Sequence, residues 1–369
     1  MTAAPAPVGD IPPAEPAEVA PVREGEHLDW PRLEAYLRER LPELDGPFSV
    51  LQFPNGAANL TYRIAFGDQL LVLRRPPFGQ VAHGGHDMGR EYRALASLWR
   101  GYDRAPRALH HGTDVSVIGS EFLVVEYRPG IVVWRTVPAA LAGPDAGHRI
   151  GLAVVDALAD LHLVDPDACG LADLGRPAGF VERQLSGWRA RWEAIRPTIG
   201  DRLFGDGRDL VRDLGDALDA RRPEPFRASV LHNDFKVDNC QFRPGDPDRV
   251  SSVFDWDMAT LGDPLVDLGT LLNYWPSDDP DVPTAVRGLE ALGLPSRDEV
   301  LDRYARRTGF DVGDVDFYEA LGCWRTAVIC GQLYARYVRG ETADERMADR
   351  GIVATELCRR GLQTLGGRA

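Results

Sequence analysis

Lysine is all but absent from this 369-residue chain. Of its 42 basic residues, Lys236 is the single lysine and the others are arginines. A coding bias toward arginine explains the general pattern, and it makes the place of the one lysine informative. Net positive charge is missing too. The formal charge is -14, which argues against nucleic acid as a main partner, because that needs a concentrated basic surface. An acidic chain that handles phosphates must neutralise them locally, with metal ions or a few placed cations. Cysteine is sparse: Cys169, Cys240, Cys323, Cys330 and Cys358, with no C-x-x-C pair. That excludes a disulfide framework and a zinc site, and fits a reduced, cytoplasmic setting. No apolar run approaches a membrane span. Residues 1–28 are rich in Pro, Ala and Glu. They lack a basic start and an apolar core, so they read as a disordered tail rather than a signal peptide.

What is present divides in two. The spacing predicts a helix capped by Asp29, then β-type runs at 48–53, 60–66 and 70–75 separated by Pro54-Asn55-Gly56 and Gly67-Asp68-Gln69. A second helix follows Asp87 and extends to Trp99, and strands cover 108–111 and 121–127. After Arg128-Pro129-Gly130 the pattern turns amphipathic and helical: 145–163, 180–195, 208–220, 298–308, 315–339 and 343–365, interrupted by a β-like region at 229–253. The expected organisation is a tail (1–28), a β-rich N-lobe that binds nucleotide (29–125), a hinge (126–130) and a helical C-lobe (131–369).

The strongest chemical signal is His232-x-Asp234-x-x-x-x-Asn239, directly after the apolar Val230-Leu231. An Asp and an Asn five apart on a tight loop can address one site. The Asp can accept a hydroxyl proton while the Asn amide oxygen binds a metal ion. An ordinary Asx-rich turn explains the motif equally well when it is taken alone. The second signal is the apolar run at 250–254, which delivers Asp255 to its end. A hairpin between the two would set Asp255 beside Asn239, a ligand pair suited to Mg²⁺, which takes few carboxylates and keeps phosphate and water oxygens. Lys236 sits two residues after Asp234, where an ammonium can offset charge on a transferring phosphoryl group. Asp263 and Asp267, at the start of a helix after Gly262, read as structural supports of the catalytic loop. In the first half, the small residues of Asn55-Gly56-Ala57-Ala58-Asn59 would let backbone N–H groups approach phosphates. Arg74 and Glu91 could form an ion pair that orients a cation.

Taken in order, these features resemble the aminoglycoside phosphotransferase (APH)/choline kinase-like family, and most closely its kinase-like branch associated with acyl-CoA dehydrogenases. The resemblance rests on Asn59-Leu60-Thr61-Tyr62, Leu73-Arg74-Arg75-Pro76, Arg90-Glu91-Tyr92, the 232–239 loop, Asp255-Trp256-Asp257 and the 262–268 segment. It implies an α+β, bilobal protein-kinase-like fold and transfer of the γ-phosphoryl group of ATP or GTP, with Mg²⁺. It assigns Asp234 as base, Asn239 and Asp255 as metal ligands, and Arg74 with Glu91 to the phosphates. Glu126 and Tyr127 fall at the adenine-facing hinge. Two departures stand out: Asn233 replaces the loop's usual glycine, and Arg74 replaces the usual lysine.

The acceptor stays open at this level: a hydroxyacyl compound, an amino alcohol or an aminoglycoside. A link to an acyl-CoA dehydrogenase pathway follows from the branch. Asn273, Tyr274, Trp275, Trp324 and Tyr334 are candidate acceptor-side residues, and core packing is their competing role. Two other readings compete. One is a nucleotide-binding scaffold without transfer activity. The other is an aspartyl-phosphate phosphatase built on Asp255-Trp256-Asp257, whose threonine, Thr260, falls one residue late.

Overall fold

Helix α1 (Trp30–Arg40) begins where the Asp29 carboxylate accepts the Arg32 N–H, with Pro31 in its first turn. Leu33 and Leu37, one turn apart, are its buried face. The computed structural model describes residues 19–54, 59–78, 87–204, 207–224, 227–276, 289–342 and 344–366. Asn55 and Gly56 of the predicted phosphate-binding turn lie outside the described residues.

Five strands build an antiparallel sheet: β1 (Phe48–Gln52), β2 (Leu60–Phe66), β3 (Gln69–Arg75), β4 (Ala108–Gly112) and β5 (Phe122–Glu126), in the order β1-β2-β3-β5-β4. The β2–β3 turn needs a positive φ, and Gly67 supplies it at 57°. Tyr62, Ile64 and Phe66 of β2 pack with Leu73 of β3, Phe122 and Val124 of β5, and Leu33 and Leu37 of α1. The composition-based tail ends too late. Ala20 and Gln52 exchange two backbone hydrogen bonds of 2.8 Å, and the Tyr62 hydroxyl donates to the Glu26 carbonyl. Backbone pairing with β1 holds a segment that composition alone marks as disordered.

The chain forms two compact units. The smaller comprises the residues up to Met88 together with Ala108–Tyr127, and the larger comprises Gly89–Arg107 and everything from Arg128. Helix α2 (Met88–Leu95) therefore belongs to the larger unit but for its first residue. It ends at Leu95, before a short 3₁₀ turn at Leu98–Arg100, where the spacing predicted one longer helix.

In the larger unit the chain runs through β6 (Ile131–Val132), α3 (Ala146–His162), α4 (Phe180–Phe204), α5 (Leu210–Ala220), β7 (Ser229–Leu231), β8 (Cys240–Arg243), β9 (Asp246–Val253), β10 (Thr260–Gly262), α6 (Leu265–Tyr274), α7 (Arg297–Thr308), α8 (Val315–Val338) and α9 (Arg350–Leu365). Helix α4 runs nine residues past its predicted end and through Pro197, because Ile199 and Phe204 continue the buried stripe. The predicted helix over 343–365 divides instead. Asp344 caps a 3₁₀ turn at Glu345–Met347, and α9 starts afresh at Arg350.

Helices α6 and α8 form the centre. A Cβ on Gly269 would lie 2.2 Å from the Tyr318 carbonyl carbon, and one on Gly322 would lie 2.9 Å from the Gly269 oxygen. The two backbones meet directly, which only glycine permits. Glu319 of α8, fully buried, holds Arg297 and Arg360 at 2.8 and 2.7 Å. Arg360 in turn donates to the Leu272 and Asn273 carbonyls at the end of α6, satisfying acceptors that a helix end leaves open.

Candidate active site

Strand β7 delivers the chain into the 232–239 loop. Antiparallel β10 pairs Thr260 with Leu231, so the 254–259 segment enters beside it. Two hydrogen bonds join these segments: His232 Nε2 to the Phe254 carbonyl, 3.0 Å, and Asn233 Nδ2 to the Met258 carbonyl, 2.9 Å. His232 Nδ1 accepts the Asp234 N–H at 3.3 Å, which leaves the ring proton on Nε2. The buried ring packs on Trp256 at 4.6 Å between centroids. His232 thus braces the loop and faces no open space.

Asp267, on the first turn of α6 and fully buried, takes the His232 N–H on Oδ2 (2.6 Å) and the Asn233 N–H on Oδ1 (2.7 Å). His162 Nε2 lies 3.4 Å from Oδ2, and its Nδ1 lies 2.6 Å from the Tyr304 hydroxyl. Burial alone would raise this carboxyl's pKa. The hydrogen bond and charge of His162, with the hydrogen bond from the His232 backbone N–H, outweigh it and hold the group below the usual carboxylate range. Asp263 plays a separate part. It accepts the Leu265 N–H and the Tyr318 hydroxyl, fixing the start of α6 to α8.

Asn233 carries φ 66° and Asp255 φ 72°. This left-handed region favours glycine, and Asn and Asp are the side chains that tolerate it best. The conformation explains why asparagine can stand at the loop position where the resembled family carries glycine.

Beyond Asn233, the Asp234 carboxylate meets Lys236 Nζ at 2.8 Å and Asn239 Nδ2 at 3.2 Å. Asn239 Nδ2 also donates to the Asp234 carbonyl at 2.8 Å. With Nδ2 so committed, Oδ1 is the atom of Asn239 left for a cation. The β8–β9 hairpin sets Cys240 opposite Val253, and the Phe254 N–H donates to the Asn239 carbonyl at 3.1 Å. Asp255 follows directly, so the hairpin sets its backbone next to that of Asn239. This donor set, an amide oxygen with a carboxylate, fits Mg²⁺, which keeps water and phosphate oxygens for its other positions. Lys236 Nζ lies 5.4 Å above the Tyr274 ring. Burial works against its ammonium, but Asp234, Tyr274 and Asp238 outweigh that and keep its pKa above the ordinary lysine value.

The remaining predicted residues fall elsewhere. Arg74, buried on β3, lies between Thr61 of β2 and Leu123 of β5. Asn59, also buried, directly precedes β2. Glu126 ends β5 opposite Leu71, and Tyr127 is the last residue of the smaller unit. Glu91 is buried on α2 and belongs to the larger unit, Arg74 to the smaller. Of the acceptor-side candidates, Trp275 and Trp324 are core residues. Their indole N–H groups donate to the Pro295 and Val211 carbonyls, both at 2.7 Å.

Sequence reading passed over Arg325. It is buried on α8, and its Nη2 donates to the Asn233 carbonyl at 3.2 Å. The peptide groups flanking Asn233 are thus gripped by opposite charges, Asp267 on the N–H side and Arg325 on the carbonyl side. Only the crossing of α6 and α8 brings Arg325 to the loop, and no local motif marks it.

Comparison with known proteins agrees with this architecture. The family model for phosphotransferase enzymes, APH, matches residues 49–318. The chain belongs to that family. It is 30% identical over 362 residues to acyl-CoA dehydrogenase family member 11 of Gallus gallus, covering 93% of this chain and 44% of that protein. It is equally identical to acyl-CoA dehydrogenase family member 10 of Mus musculus, covering 88% of this chain and 30% of the other. The chain therefore spans less than half the length of these relatives. Among solved structures, a candidate aminoglycoside phosphotransferase of Ralstonia eutropha superposes with a TM-score of 0.74 at 28% identity, over 92% of this chain and 99% of that one. The aminoglycoside phosphotransferase APH(4)-Ia, solved with AMP-PNP and hygromycin B, gives 0.57 at 15% identity, over 91% and 99%, a likeness of fold. The protein-kinase-like α+β fold, a small antiparallel sheet unit and a larger helical one, is that of an APH phosphotransferase. Among the described residues, no helix is long and apolar enough to cross a membrane.

Proposed function

We propose that this chain transfers the γ-phosphoryl group of ATP or GTP to a hydroxyl of a small metabolite. The observation that carries the reading is the Asp234 carboxylate, held by Lys236 and Asn239 on a loop anchored by Asp267. Asp234 orients the acceptor hydroxyl and takes its proton. Lys236 balances charge on the group in transit. Asn239 and Asp255 would hold Mg²⁺, which when bound supplies charge neutralisation at the phosphates. Arg74 and Glu91, with Asn59 and the turn at Asn55 and Gly56, are assigned to the triphosphate, and Glu126 and Tyr127 to the base. Family membership supports phosphotransfer, and structural relatives of the same fold were solved with AMP-PNP or GDP. The acceptor is an alcohol: a hydroxyacyl compound of an acyl-CoA dehydrogenase-linked pathway, an amino alcohol or an aminoglycoside.

Substrate-dependent ADP or GDP release across an alcohol library tests this reading. Asp234→Asn should lower kcat by about 10²–10⁴ while calorimetric nucleotide affinity persists. Undiminished turnover in that variant removes Asp234 from its role. Nucleotide binding with no acceptor-dependent turnover would replace the reading with a nucleotide-binding scaffold.

A further inference from the structure

Many arginines of the larger unit are matched to acids: Arg189 to Asp216, Arg196 to Asp209, Arg212 to Glu193, Arg303 to Asp156, Arg307 to Asp160. Even buried Arg360 is satisfied, by Glu319 and two carbonyls. Arg325 breaks this pattern. It is as buried as Arg360, at 5% exposure for each, yet its single hydrogen bond among the described residues is Nη2 to the Asn233 carbonyl. Its Nε and Nη1 are buried and find no hydrogen-bond partner among the described residues. A guanidinium is a fork of N–H donors matched to a carboxylate or a phosphate. Burying one with most of that fork unused is costly unless a ligand completes it.

Its surroundings are those of an anion site. The guanidinium carbon lies 5.8 Å from the Trp188 ring, and that of Arg191 lies 4.5 Å from the same ring. Two cations therefore share one indole. The Tyr274 ring lies 5.4 Å from Lys236 Nζ, and the neighbouring Asn273 Nδ2 donates to Thr326 Oγ1 at 2.9 Å, which ties this end of α6 to the turn of α8 that carries Arg325. The nearby acids are already engaged, Asp234 by Lys236 and Asn239, Asp267 by the loop N–H groups. An ammonium arriving here would meet two guanidinium groups, whereas an oxyanion would complete them.

We propose that Arg325, with Arg191 at its rim and Trp188 and Tyr274 as walls, recognises an oxyanion of the acceptor, so that the hydroxyl presented to Asp234 belongs to an anionic molecule, a hydroxy-carboxylate or a phosphomonoester, rather than an amine. The inference rests on the phosphotransfer reading and selects within it. It also links recognition to chemistry. The same guanidinium that binds the oxyanion holds the carbonyl next to Asp234, so a filled site steadies the loop.

The test compares short-chain hydroxy-carboxylates with the primary amide, the amino alcohol and the phosphomonoester of the same carbon chain. Both phosphoryl transfer and calorimetric binding are read. The carboxylate or the phosphomonoester should exceed the amide in kcat/KM by about tenfold or more. The better of the two names the oxyanion. In Arg325→Gln the preference over the amide should fall toward unity, and in Arg191→Gln by about threefold. A ratio cancels any general effect of the loop contact on turnover. Should Arg325→Gln fail to fold, the wild-type preference and Arg191→Gln decide. Preference for the amino alcohol, or an Arg325→Gln ratio equal to wild type, overturns the proposal. Oxyanion-selective binding without transfer to any acceptor would sink the phosphotransfer reading and leave the oxyanion site standing. Transfer confined to amines would do the opposite.

Discussion

Asn233 concentrates the demands on the loop in one residue. Its φ of 66° favours glycine, yet its amide donates to the Met258 carbonyl, which glycine cannot do. Asn233→Ala would lose both the left-handed tolerance and the hydrogen bond, and should cost about 2 kcal/mol. Asn233→Gly keeps the backbone and loses only the bond, so it should cost about 1 kcal/mol or less. Urea unfolding of the two variants checks this order; equal losses would show that backbone conformation is not the constraint. The His-x-Asp pattern was legible here because its spacing is local. The reason asparagine suits position 233 was not, because φ at one residue depends on Asp267 and Arg325, which are distant in sequence.

Among elements, α6 and α8 decide the site. Gly269 lets α6 pass against the Tyr318–Glu319 backbone. The crossing presents Asp267 and Arg325 to the same loop. Gly269→Ala would push its methyl into backbone that cannot yield as a side chain does. It should destabilise the larger unit by about 3 kcal/mol and lower kcat more than nucleotide affinity, measured by denaturation and steady-state kinetics. A variant with wild-type stability would mean that the helices slide apart freely. Both helices were expected from their periodicity. The crossing was not, because a glycine within a helix gives no sign of what packs on it. Trp275 and Trp324 were open to either role for the same reason: an aromatic side chain in a helix reads alike whether it faces a ligand or a backbone carbonyl.

The whole molecule carries a net charge of -14, and Asp267 and Glu319 are among its buried carboxylates. Burial opposes ionisation of Glu319, but Arg360 and Arg297 outweigh it and hold its pKa below the usual value, as His162 and His232 do for Asp267. A carboxyl whose folded pKa lies below its unfolded one stabilises the fold fully above the unfolded pKa. That stabilisation is lost as pH falls through the folded pKa. Stability should therefore hold near neutrality and decline below about pH 5. Asp267→Asn should be about 3 kcal/mol less stable at neutral pH, with a shallower decline on acidification, as followed by pH-dependent denaturation. An unchanged slope would mean that Asp267 does not carry the acid sensitivity.

By itself the sequence determined the family and the division into a sheet-rich and a helical part. It also marked the loop with Asp234, Lys236 and Asn239 and the hairpin that returns Asp255. These are matters of periodicity and short spacing, which a linear chain records directly. Tertiary structure alone decided that the segment at Ala20 bridges to β1 and that two tryptophans are packing. It also decided that an arginine about ninety residues beyond the loop grips it. Such facts depend on which surfaces meet, and a meeting leaves its mark on both partners only after the chain has folded. The lone lysine ends as half of an ion pair with Asp234, a partner two residues away that the sequence had already placed beside it.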